Sequence, residues 1–211
     1  MATSINRVAV VFSIVIIAIS ATCRKNPDCV KETYSFTTEA KAYLDPDSIN
    51  INDTIWLEFD QPTVFRDNIS GMSIDYSNAA NLGFGVGFDK FIGGSISYPG
   101  TIPAVSSFSV MVISGTELTS LQPDRIKSYN FSEIGGRYKF KIAIIARNTG
   151  IFAIAISNAA NVYKRNNVCS KASFTIVFAN TNQHLYFYEQ NRPGYIPSGY
   201  EQTHMYCFKV K

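Results

Sequence analysis

Apolar side chains recur at every second position along most of this chain. Tyr34, Phe36, Ala40, Ala42 and Leu44 share one side, against Ser35, Thr37, Glu39 and Lys41. Ile55, Leu57 and Phe59 alternate with Thr54, Trp56 and Glu58, and Leu82, Phe84, Val86 and Phe88 alternate with Gly83, Gly85 and Gly87. The pattern returns at Met72–Tyr76, Phe108–Val112, Tyr138–Ile144, Phe152–Ile156, Phe174–Phe178 and Tyr206–Val210. Side chains of an extended chain point alternately to two faces, so each run predicts a half-buried strand.

Turn residues separate the runs: Asp45-Pro46-Asp47, Gly93-Gly94, Pro99-Gly100, Gly135-Gly136, Asn148-Thr149-Gly150 and Pro193-Gly194. About nine strands with polar turns predict an all-β protein, an antiparallel β-sandwich. A membrane-spanning barrel would need long apolar outward faces, whereas the second faces here carry Lys, Arg, Glu and Asp. The short link between Lys141–Ala146 and Ile151–Ile156 predicts an antiparallel hairpin. Helix is expected only in short pieces, around Thr116–Ser128 and His184–Gln190. A long elaborated loop, Leu185–Gln202, precedes the last strand. The pentapeptide "SNAAN" occurs at Ser77–Asn81 and again at Ser157–Asn161. The flanking residues do not keep the match, so chance or shared turn geometry explains it better than duplication.

The first residues read differently. Arg7 is the only charge before the weakly polar-to-apolar run Val8–Ala21, and Cys23 follows. A basic start, a short apolar core and small residues are the pattern of a secretory signal peptide. A retained spanning helix needs about 20 apolar residues, more than this core offers. The window Ile17–Cys23 resembles a bacterial lipobox, with Ser20 and Thr22 standing where an aliphatic residue and a small residue are usual. The expected organisation is a lipoprotein-type signal peptide over residues 1–22, an acylated Cys23, a tether over 23–32, and one β-sandwich domain over 33–211. Plain secretion, with cleavage near Ala18 and Ser20, is the alternative. Arg24 and Lys25 follow Cys23 without an acidic run. By resemblance to lipoprotein sorting, that gives no reason for inner-membrane retention.

Composition narrows the function classes. Hydrophobic residues at 46% against 17% charged exclude a disordered chain. A net charge of +3 without a basic run argues against a nucleic-acid partner. The expected attachment is to a membrane through the N-terminal lipid, with a protein or glycan partner left open. Besides Cys23, the chain holds Cys29, Cys169 and Cys207. Cys29 and Cys169 each lie in a polar segment before an alternating run, so a Cys29–Cys169 disulfide is expected, with Cys207 a small buried hydrophobe. No C-x-x-C spacing points to zinc or redox chemistry.

Catalytic signals are sparse. The only histidines are His184 and His204, and there is no G-x-S-x-G elbow, H-E-x-x-H pair or P-loop. No catalytic residue, metal or cofactor is expected. "GFGVGF" at Gly83–Phe88 continues the alternation, so it predicts a strand with one bare glycine face rather than a phosphate loop. "DPDSININD" at Asp45–Asp53 offers oxygen ligands for calcium, but the spacing fits a turn entering a strand better. Trp56 faces away from Ile55, Leu57 and Phe59; it is either an exposed stacking anchor or, as the expectation here runs, covered by the 185–202 loop. Tyr195 and Tyr200 in that loop complete the candidate ligand-binding set with Trp56.

The lipobox-like leader, "DTIWLEF" (Asp53–Phe59), "YKFKIAIIARNTGIFAIAIS" (Tyr138–Ser157) and "YCFKV" (Tyr206–Val210) together resemble small lipoproteins of Bacteroidetes-type bacteria. The resemblance implies an envelope lipoprotein, at the outer membrane, with an immunoglobulin-like β-sandwich and Cys23 as acyl acceptor. It implies no catalytic residue. The function expected is a non-enzymatic binding or structural module, with a glycan-binding accessory protein as the alternative.

Overall fold

The alternating runs are extended in the structure, a computed structural model that describes residues 31–43, 46–93, 100–180 and 182–211. The compact unit spans Glu32–Lys211. Its strands in chain order are β1 (Glu32–Tyr43), β2 (Ser48–Ile49), β3 (Thr54–Pro62), β4 (Val64–Arg66), β5 (Ser73–Asp75) and β6 (Ala79–Ala80). Next come β7 (Gly83–Phe91), β8 (Thr101–Pro103), β9 (Phe108–Ser114), β10 (Thr116–Leu118), β11 (Ile126–Asn130) and β12 (Ser132–Ile134). The chain ends with β13 (Arg137–Ala146), β14 (Gly150–Ile156), β15 (Ala159–Lys164), β16 (Asn167–Phe178), helices α1 (Tyr186–Asn191) and α2 (Gly199–His204), and β17 (Met205–Val210).

Two sheets form. The first runs β12-β13-β3-β1-β16-β15-β6, with β9 also on β13. The second runs β10-β11-β7-β14-β17-β2, with β8 also on β7. Their inner faces meet in one core: Leu57, Phe140 and Ile142 from the first sheet cluster with Phe84, Val86, Ile154 and Phe208 from the second. Phe84 and Phe140 meet edge-on at 4.9 Å, as do Phe108 and Phe152. Burying each such side chain stabilises the fold by about 1.5–3 kcal/mol, so this two-layer core carries the domain. The protein is an all-β sandwich, as the periodicity predicts.

Strand direction and connection depart from expectation. β1 runs parallel to β16, setting Phe36 beside Phe174, and β17 runs parallel to β2. The sandwich is therefore mixed rather than wholly antiparallel; alternation marks the faces of a strand and carries nothing about its neighbour's direction. β13 and β14 do not form a hairpin. β13 lies in the first sheet and β14 in the second, so the turn at Asn148–Gly150 carries the chain across the core edge. A short turn joins strands face to face as readily as edge to edge, and here both strands present apolar faces to the same core. Gly115 makes a second crossing, between β9 and β10, at φ +103°. A Cβ there would lie 2.9 Å from both the Asn130 carbonyl oxygen and the Phe140 ring. The helix expected around residues 116–128 is absent: β10 and β11 pair with each other, and β11 pairs with β7.

The two "SNAAN" segments share turn chemistry. Asn81 and Asn161 both adopt left-handed conformations, at φ 62° and 58°. The strands they touch, β6 and β15, are paired neighbours in one sheet rather than equivalents in two halves. Asp67 pins the loop after β4 to β1. Its carboxylate accepts from the Ser35 amide (2.9 Å) and from the amide and hydroxyl of Ser70 (2.8 and 2.7 Å). Those bonds hold its carboxyl down at about 2.

Candidate functional site

The glycine run shapes the most distinctive surface of the molecule. Phe84, Val86 and Phe88 of β7 point into the core, so Gly85, Gly87 and Asp89 face outward. The register sets Ile126 of β11 and Ala155 of β14 on either side of Gly87. Ser128 flanks Gly85 on one side; on the other, Ser157 Oγ accepts the Gly85 amide at 2.8 Å. A central strand without side chains between two that carry them leaves a trough, and its cavity measures about 350 Å³. That lies at the small end of ligand pockets. Tyr200 forms one wall, and Asp89 and Arg125 also line the trough.

Tyr200 is held from behind. Its ring stacks on His204 at 3.9 Å and 13°, and its hydroxyl donates to the Ile156 carbonyl at 3.2 Å. It is nevertheless 51% exposed. Nε2 of His204 lies 2.9 Å from Asn158 Oδ1, which also accepts the Ile176 amide. Burial lowers the pKa of His204 below its usual value. Helix α2, which carries both rings, starts with a capping box: Ser198 Oγ accepts the Glu201 amide, and Glu201 accepts the Ser198 amide.

Asp89 and Arg125 form an unusual pair. Oδ1 and Nε lie 3.3 Å apart, both sealed from solvent and neither in a hydrogen bond. Burial raises the Asp89 carboxyl, and the guanidinium of Arg125 opposes that rise. The side chains stay partly open, 23% for Asp89 and 36% for Arg125. Neither residue carries a sequence signal, because the two strands meet only through the sheet.

Beside the trough the same outer face is covered. Phe187 and Tyr188 of α1 pack on Phe91, Ala153 and Cys207, with Leu185 and Tyr195 at the margin. Glu201 ties this cover together, accepting from Tyr188 (2.7 Å) and Tyr195 (2.6 Å). Burial would raise its pKa, but hydrogen bonds from Tyr195, Ser198 and Tyr188 prevail and lower it. The Arg192 guanidinium sits 3.7 Å over the Tyr195 ring. So Tyr195 is engaged inside the cover, while Tyr200 faces the trough. The helix expected at 184–190 forms; α2 was not expected, although the Ser198-x-x-Glu201 spacing was a readable signal for it.

Trp56 lies elsewhere, on the outer face of the first sheet. Tyr43, Trp56, Ala143 and Met111 form one row across β1, β3, β13 and β9. Lys141 sits 5.3 Å over the Trp56 ring and 3.4 Å from Glu58. Trp56 is 36% exposed. The expectation that segment 185–202 covers it is corrected: that segment packs on the second sheet. Trp56 and Tyr200 therefore do not make one stacking platform.

Cys169 is disulfide-bonded. Cys207 is free and buried, and burial, then Glu201, pushes its thiol up to about 12. Cys23 and Cys29, and with them the acylation site and the expected partner of Cys169, lie outside the described residues. In the aspartate-rich turn, Asp53 accepts the Asn50 amide at 2.7 Å, and Asp47 accepts the Ser48 and Tyr186 hydroxyls. Among the described residues no group of three or more His, Cys, Asp or Glu could hold a metal ion. Comparison with family models, with curated proteins and with solved structures finds no match.

Proposed function

We propose that this chain is a lipid-anchored, non-enzymatic binding protein of the bacterial cell envelope, held at the outer membrane by an acylated Cys23. The anchoring rests on residues 1–23: a single basic residue, a short apolar core and a lipobox-like window. The binding role rests on one observation above others, the open trough over Gly85 and Gly87 on a face that α1 covers in part, with Tyr200 of α2 at its wall. Several polar groups around it hold its shape. Ser157 holds the Gly85 amide, the Tyr200 hydroxyl holds the Ile156 carbonyl, and His204 holds Asn158. Such a surface binds rather than transforms.

Metabolic labelling with an alkyne fatty acid tests the anchor. The native chain should incorporate label and fractionate with membranes, and mass spectrometry should show residues 1–22 removed. Cys23→Ala should lose both label and membrane association. A native chain that is cleaved upstream of Cys23 and stays soluble overturns the anchor.

A further inference from the structure

We propose that the trough over Gly85 and Gly87 is a carbohydrate subsite, with Tyr200 against the face of a neutral sugar ring and Asp89 and Arg125 at its hydroxyls. This rests on the binding reading above and names the ligand of that same site.

The argument begins with Gly87. Glycine inside a strand weakens it and packs nothing. Gly83, on the same strand as Gly87, is required by packing: a Cβ there would fall 1.8 Å from the Tyr129 carbonyl oxygen. At Gly87 the nearest atoms are those of Ala155 at 3.7 Å, an ordinary contact. Neither packing nor backbone conformation demands glycine there, so its bareness serves what enters the trough.

The walls then select the ligand. Tyr200 is backed by His204 and its hydroxyl is already engaged, so it offers a fixed ring face, half exposed. Sugars present a C–H face to aromatic rings and hydroxyls at the edge. Oδ1 of Asp89 and Nε of Arg125 face each other and are sealed, while the side chains stay 23% and 36% open, so the rest of the carboxylate and of the guanidinium offers an acceptor beside donors to the trough. A ligand carrying neighbouring hydroxyls uses both. Together the pair has no net charge, so an anionic ligand meets Asp89 and a cationic one meets Arg125. A purely apolar ligand would desolvate the ion pair without partners for it. A peptide adding as a strand needs a free sheet edge, but β7 is paired on both sides by β11 and β14.

The test is titration calorimetry on the purified full chain in detergent. The probes are neutral gluco-, manno-, galacto-, xylo- and chito-oligosaccharides, with oligogalacturonate as the acidic comparison. At least one neutral probe should bind saturably. Tyr200→Ala and Gly87→Val should each weaken it about tenfold or more, while Trp56→Ala stays within about twofold. Should Gly87→Val fail to fold by circular dichroism, Tyr200→Ala and the better-fitting Gly87→Ala decide. Absence of neutral-sugar binding, or binding that survives the trough variants, or binding lost with Trp56→Ala, overturns the proposal. Binding of oligogalacturonate alone, lost with Tyr200→Ala, overturns the ligand class and leaves the trough as a binding site. Lipidation is read separately, so a chain that binds sugar without acylation overturns only the anchor.

Discussion

The two outer faces of this sandwich solve the same problem in opposite ways. On the first sheet the outward positions hold long side chains: Lys141 reaches Glu58, Arg137 reaches Asp60, and Trp56 lies beneath Lys141. These groups shield the backbone ladder and meet water themselves, so no further layer is needed. On the second sheet many outward positions at the centre are small: Gly85, Gly87, Ala153, Ala155 and Cys207. Such small residues shield little, and a third layer, α1 and α2 with their flanks, covers that face around Phe91, Ala153 and Cys207. Where the cover stops, the trough begins. The lesson is that outward bulk decides whether a sheet face is finished or awaits something.

The largest test of this contrast sets Phe187→Ala against Trp56→Ala. Phe187 is buried between the cover and the sheet, so truncation leaves a cavity and should cost about 3–5 kcal/mol. For a domain of this size that lowers the melting temperature by roughly 6–20 °C. Trp56 is already a third in water, beneath the Lys141 side chain rather than beneath a packed layer of the described residues, and its truncation should cost about 1–2 kcal/mol. Urea denaturation of both variants measures the difference. Equal losses would mean that Trp56 is covered after all.

Glu201 comes next. Replacing it with Ala removes the capping box and leaves the Tyr188 and Tyr195 hydroxyls without their acceptor. A loss of about 1–2 kcal/mol is expected. Hydrogen exchange should place the loosening in the segment 185–204 and leave β3 and β13 protected. A uniform loss of protection would mean that the cover is not a separable layer.

The smallest effect is a difference in acid response. Burial depresses the pKa of His204, so its neutral form contributes stability above the usual 6.5, lost as pH falls below that value. Asp67 is held at about 2, so its contribution is present above the ordinary 3.8 and is lost only as pH falls from there toward 2. On acidification the cover should therefore loosen before the β1–β4 region does. Hydrogen exchange between pH 7 and pH 3 measures the order. His204→Gln should flatten the first step and Asp67→Asn the second. Simultaneous loosening in the native chain would show that the two regions unfold as one.

Much of the fold was legible because burial on one side of a strand imposes period two on any sequence that forms it. Ile55, Leu57, Phe59, Phe84, Val86, Phe88, Ile142 and Ile144 all stand in the core that their alternation predicts. The bare face of β7 was legible for the same reason. The helix expected over 116–128 failed because a polar stretch lacks a pattern of its own, and pairing with β7 decided its conformation. Of the candidate residues, Tyr200 reaches the trough, Tyr195 is engaged in the cover, and Trp56 sits on the other sheet.

By itself, then, the sequence determined which side chains face inward, where turns interrupt the strands, and that β7 would carry an unclothed outer face. Those are local properties, set by backbone geometry and the cost of leaving apolar groups in water. The tertiary structure alone decided that β13 and β14 belong to different sheets and that β1 lies parallel to β16. It also decided that the cover settles on the second sheet and that Asp89 meets Arg125 beside Tyr200. Each of these is a choice among partners distant in the chain. Alternation leaves such choices nearly equal in energy, and only the packing of both layers at once separates them.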